Sequence, residues 1–68
     1  MKLHYYSETD SLYIELKPTP GTQTREVADG LVVDLDAAEQ VVGFDIDRAS
    51  QRFDLSSLET VALPVRTT

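Results

Sequence analysis

Two groups of side chains in this sequence are of the types that chemistry needs. Asp34, Asp36, Asp45 and Asp47 recur at alternate positions within Gly30 to Asp47, and alternate residues of a strand share a face. Clustered carboxylates supply the oxygen ligands that Mg²⁺ and Ca²⁺ take. The second group is His4, Tyr6, Tyr13 and Glu15, where an imidazole beside a phenol and a carboxylate could exchange protons with a substrate. Each group also has a plainer reading. Aspartates at alternate strand positions are how a half-buried antiparallel sheet presents its wet side. Tyr and His on neighbouring strands more often pack together or meet a partner. No nucleophile elbow, phosphate loop, dinucleotide fingerprint or zinc spacing accompanies either group. The plainer reading carries more weight, so no catalytic residue, metal or cofactor is expected. The alternative is a small enzyme built on Asp34, Asp45 and His4, using a divalent metal or acid–base chemistry.

The elements that would position these residues are strands. Leu3 to Tyr6 and Ser11 to Leu16 are rich in Tyr, Leu and Ile, and Ser7-Glu8-Thr9-Asp10 between them suits a hairpin loop. Closing Tyr6 on Ser11 places Leu3, Tyr5, Leu12, Ile14 and Leu16 on one face, and His4, Tyr6, Ser11, Tyr13 and Glu15 on the other. Pro18, Pro20 and Gly21 then end the strand. Thr22 to Ala28 reads as a short edge strand, and Asp29-Gly30 as a two-residue type I′ turn. That turn would set Ala28 against Leu31, Val27 against Val32 and Arg25 against Asp34. A four-residue loop, Asp36 to Glu39, would pair Leu35 with Gln40, Val33 with Val42 and Leu31 with Phe44. Leu31, Val33, Leu35, Val42, Phe44 and Ile46 then join the first apolar face. Val32, Asp34, Asp36, Val41, Gly43, Asp45 and Asp47 fall on the other.

An apolar layer of this size dominates stability, at roughly 1.5–3 kcal/mol per fully buried large side chain, provided something covers it. The cover must come from the C-terminal third. Asp54 is a plausible N-cap, Ser56 and Glu59 have capping-box spacing, and Leu55, Leu58 and Ala62 have helical spacing. One or two short helices between Arg48 and Leu63 are therefore expected on the apolar face, with the last residues frayed. A final strand is the alternative. The predicted fold is α+β: a small antiparallel β-meander of four or five strands with those helices packed on it, all in one domain over residues 1–68.

Composition narrows the partners. With 12 Asp and Glu against 6 Lys and Arg, the formal charge is −6, and the basic residues are scattered. Direct nucleic-acid binding is thus disfavoured, whereas a basic protein is steered by complementary charge. No apolar run reaches the ~20 residues of a membrane span, and the N-terminus has no secretory apolar region. Cytoplasmic residence is expected. A chain of 68 residues buries only about 60% of its unfolded surface. Without cysteine, and with a single histidine, self-association is the remaining route to extra stability. The outer sheet face mixes apolar, aromatic and acidic residues as an interface does. Tyr6, Tyr13, Glu15, Val32, Asp34, Val41 and Asp45 form the candidate interaction surface, for a homodimer or for a basic protein.

Three spaced motifs add a resemblance. Met-Lys-Leu-His-Tyr precedes an acidic turn and Asp10-Ser11-Leu12-Tyr13-Ile14. Asp29-Gly30-Leu31-Val32-Val33-Asp34-Leu35-Asp36 follows, then Val41-Val42-Gly43-Phe44-Asp45-Ile46 with Ala49-Ser50 soon after. Over roughly residues 1 to 52 the chain resembles the DUF2283 group of short bacterial and archaeal proteins. The resemblance implies a compact β-rich domain with no assigned activity. For some relatives it implies the antitoxin half of a toxin–antitoxin pair, which would make a small toxin the basic partner. Two positions depart from the group: Glu39 stands where a loop glycine is usual, and Asp45 where Glu is frequent. Glu39 is expected to take a left-handed conformation.

Overall fold

The computed structural model describes residues 1–64. The expected fraying of the last residues lies outside the described residues. Five strands, β1 (Lys2–Tyr6), β2 (Ser11–Glu15), β3 (Gln23–Ala28), β4 (Leu31–Leu35) and β5 (Val41–Ile46), are followed by one short helix, α1 (Ala49–Arg52). All pairings are antiparallel, in the order β1-β2-β5-β4-β3. A β1–β2 hairpin and a β3–β4–β5 meander are thus joined along β2 and β5.

The first hairpin has the expected register, with Tyr6 opposite Ser11, Tyr5 opposite Leu12 and Leu3 opposite Ile14. Short loops leave few alternatives, and a one-residue slip would turn Leu12 and Ile14 outward. At the new seam Leu12 faces Ile46 and Ile14 faces Phe44, so the two apolar faces merge into one.

The other two registers differ from expectation, in each case through a β-bulge. Asp29-Gly30 does form the β3–β4 turn, but only Gly30 takes a positive φ, at 78°. It is therefore not a type I′ turn. Ala28 opposes Leu31, but the register shifts between Glu26 and Ala28, leaving Glu26 opposite Val32, Arg25 opposite Val33 and Thr24 opposite Asp34. The expected Arg25–Asp34 pair does not form. The bulge keeps the Glu26 carboxylate off the apolar face, where the unshifted register would have put it.

Between β4 and β5, Leu31 faces Ile46 and Val33 faces Phe44, a slip of two residues that keeps these four side chains on their expected face. The loop is shorter than expected. Asp36 N–H donates to the Gln40 carbonyl and Glu39 N–H to the Asp36 carbonyl, both at 2.9 Å. Glu39 has the expected left-handed φ, 61°, completing a three-residue hairpin loop. The register then shifts between Asp34 and Leu35, so that Leu35 faces Val41 and Val42 is the additional residue. Val42 is 1% exposed.

The core has two parts along the apolar face: Val33, Leu35 and Val42 near the β4–β5 loop, and Leu12, Ile46 and Ala49 at the other end. α1 contributes Ala49, which is fully buried against Leu12 and Ile46. Beyond Phe53 the described chain has no regular structure, and Leu58 and Val61 are each 75% exposed. The expected helical cover is thus reduced to four residues, and no final strand forms among the described residues. The Asp54 carboxylate accepts hydrogen bonds from both the N–H and the hydroxyl of Ser56, the first being the contact of a helix N-cap, but no helix follows it. A helix of nine residues ending at Pro64 is in any case too short to persist without strong packing.

Candidate functional site

On the outer face a row of residues crosses all five strands: His4, Tyr13, Asp45, Val32 and Glu26. The adjacent row runs Lys2, Glu15, Gly43, Asp34 and Thr24. Six of the seven candidate residues (Tyr6, Tyr13, Glu15, Val32, Asp34 and Asp45) therefore share this face. Val41 does not. Its cross-strand partner is Leu35, and it lines an open groove on the opposite side with Arg25, Val27, Val33, Leu35 and Glu39. The bulge at Val42 reverses the alternation that sequence spacing relies on.

Tyr13 is the centre of the outer face. It stands on β2 and reaches diagonally over β5, where its hydroxyl donates to Asp34 Oδ2 at 2.9 Å on β4. Gly43 makes this reach possible. A methyl group there would lie 2.6 Å from Tyr13 Cζ and 3.0 Å from the Ile14 carbonyl oxygen. A tyrosine laid over a strand glycine covers backbone that glycine cannot. Burial first, then the hydrogen bond to Asp34, push the Tyr13 phenol up to about 12. His4 packs beside it, with ring centroids 6.3 Å apart, and lies 3.7 Å from Glu15.

Asp45 sits between Tyr13 and Val32. Burial, then repulsion from Asp47 and Asp34, raises its carboxyl above the ordinary aspartate value. Among the described residues neither Asp34 nor Asp45 has a cation within ion-pair distance. Tyr6, Thr9, Ser11, Tyr13 and Asp45 line a shallow depression of about 420 Å³. Its lining includes two tyrosines and an acidic group and, among the described residues, no cation.

Other expected acidic positions have different roles. Asp36 organises the β4–β5 loop: the Gln40 and Ala38 N–H groups donate to its Oδ1, and Lys17 lies 3.5 Å away. The Gln40 N–H, most of all, holds its carboxyl below the ordinary value. Asp47 is an exposed turn residue whose N–H donates to the Gly30 carbonyl. Among the described residues no group of three or more His, Cys, Asp or Glu is arranged to hold a metal ion, and no helix is long and apolar enough to cross a membrane.

Sequence reasoning missed one organising residue. Asp10 occupies a left-handed conformation, φ 53°. Its carboxylate accepts from the Tyr5 hydroxyl at 2.7 Å, the Ser50 N–H at 3.1 Å and the Ser50 hydroxyl at 2.8 Å, while its carbonyl accepts from Ala49 N–H. The bonds from Tyr5, then Ser50, lower its carboxyl. The signal was present: Asp10 and Ala49-Ser50 both belong to the spaced motifs, and the structure shows that they touch.

The fold and face together define a small single-sheet protein with an acidic, aromatic outer surface. A family model described as "Protein of unknown function (DUF2283)" matches residues 2–50, and the chain belongs to that family. The match covers the whole sheet and stops within α1. No curated protein and no solved structure matches the chain.

Proposed function

We propose that this protein is a non-enzymatic interaction module whose outer sheet face binds a basic protein. The depression between Tyr6, Tyr13 and Asp45 carries this reading. An arginine or lysine side chain entering it meets two tyrosines, whose rings attract cations, and a carboxylate that no cation of the described residues pairs. Glu15 and Asp34 flank that point as a charged rim, and Val32 adds an apolar contact. A second copy presenting the same face would set acid against acid, so this face suits a basic partner rather than itself. The form of this reading that the family resemblance implies is antitoxin-like, with a small basic toxin as the partner. Asp45 is held in an environment that disfavours its charge, and a bound cation would relieve it.

Co-expression with the product of the neighbouring reading frame tests this. The expected result is a salt-sensitive complex with a basic protein that is lost in the Asp34→Asn/Asp45→Asn double variant. A complex indifferent to that double variant, or no complex at all, would overturn the reading.

A further inference from the structure

The sheet has two free edges, and they are not alike. β3 is exposed along its whole length, mostly polar, and bulged between Glu26 and Ala28, which are the means by which proteins protect an edge from pairing. β1 has no bulge and pairs with β2 in unbroken register. It presents Leu3 and Tyr5 on the apolar side at 47% and 48% exposure. The centre of that apolar face is covered within the monomer, since Leu12, Val33 and Ile46 are buried. The apolar surface left open on the β2 side is therefore at the β1 edge.

We infer that β1 is a self-pairing edge: a second copy of this chain adds its own β1 antiparallel to the first, about a two-fold axis at His4, making one continuous ten-stranded sheet. The pattern of β1 supports a second copy in particular. Antiparallel partners share a face, so both copies keep their apolar side together only in registers that match like faces. The register centred on His4 does this and uses all five residues of the strand. It sets Leu3 against Tyr5 of the second copy, twice by symmetry, on the apolar side. On the outer side it sets His4 against His4 and Lys2 against Tyr6. Strand backbone groups now facing water would gain partners.

The inference is independent of the basic-partner reading, because it uses the edge and not the acidic face. Sedimentation equilibrium of the full chain from micromolar to millimolar concentration should show a monomer–dimer equilibrium. Leu3→Lys should weaken it by roughly tenfold or more, from two symmetric cross-strand pairs, with an unchanged far-ultraviolet spectrum. His4→Lys, which touches no apolar contact and keeps a cation beside Glu15 within the monomer, should also weaken it by setting like charges directly opposite across the two-fold. It keeps the test valid should Leu3→Lys disturb the monomer. The chain has no cysteine, so His4→Cys introduces a lone thiol that should cross-link two copies under mild oxidation, since facing Cα atoms about 4.5–5.5 Å apart suit a disulfide. Thr24→Cys on β3 should not cross-link. Asp34→Asn/Asp45→Asn should leave the dimer unchanged. A monomer at millimolar concentration, a dimer indifferent to both Leu3→Lys and His4→Lys, or faster cross-linking through Thr24→Cys would overturn the inference.

Discussion

Tyr13, Gly43 and Asp34 lie on three neighbouring strands and act as one unit, and single substitutions there have signs that are not obvious in advance. Gly43 has no positive φ, so Gly43→Ala would ordinarily stabilise a strand slightly. Here the added methyl collides with the Tyr13 ring. The expected outcome is a loss of about 1–3 kcal/mol in denaturant unfolding, and a much smaller cost for the same substitution made in a Tyr13→Ser background. The Tyr13 phenol also makes the unit sensitive to alkali. Its value rises from 10.0 to about 12 on folding, so between those values the native state holds a proton that the unfolded chain has lost, and stability falls as pH rises. Tyr13→Phe should flatten that alkaline limb in melts taken across the window. Little of this unit was legible beforehand. His4, Tyr13 and Glu15 could be grouped because one short hairpin holds them, but the reach to Asp34 depends on β2 pairing with β5. Local spacing carries no information on which distant strands become neighbours.

At the scale of elements, the loops decide how far alternation can be trusted. The β1–β2 register was readable because its loop is short and its faces separate cleanly. Where Val42 and the Glu26–Ala28 region insert a residue, alternation fails, and Val41 moved to the other face for that reason alone. Asp10 shows the opposite case, a loop residue that fastens two elements, bonding both Tyr5 and Ser50. Its carboxyl is lowered in the folded state. The stability it supplies is therefore present above the ordinary aspartate value and is lost as pH falls through the lowered one. Asp10→Asn should lower the melting temperature at neutral pH and make acid unfolding less steep. Equal acid profiles for variant and parent would contradict this assignment.

For the molecule as a whole, dimensions of 37 × 34 × 19 Å describe one sheet accompanied, among the described residues, by a single four-residue helix. Most domains bury the apolar face of such a sheet beneath a second layer. Among the described residues the only helix on that layer is α1, and six apolar side chains make up the buried core, so stability should depend on few side chains. Ile46→Ala, inside the buried cluster, should cost about 2–5 kcal/mol, enough to unfold a domain of this size. Leu58→Ser, on the exposed segment beyond the family match, should change thermal stability by less than about 0.5 kcal/mol. Helical spacing at Leu55, Leu58 and Ala62 was a poor guide there, because periodicity predicts a helix only where packing rewards it.

The seam between β2 and β5 also determines the order in which the structure can assemble. The β1–β2 hairpin and the β3–β4–β5 run each close through short connections, whereas the seam joins strands with two others between them in sequence. Closing a longer stretch of chain loses more entropy, so near pairs form first. Two half-sheets are therefore expected to form before the seam, with the pairing of Leu12 and Ile14 with Ile46 and Phe44 expected to limit the folding rate. The Asp10–Ser50 bonds span that junction. If they close after it they are a latch, and Asp10→Asn should speed unfolding far more than it slows folding.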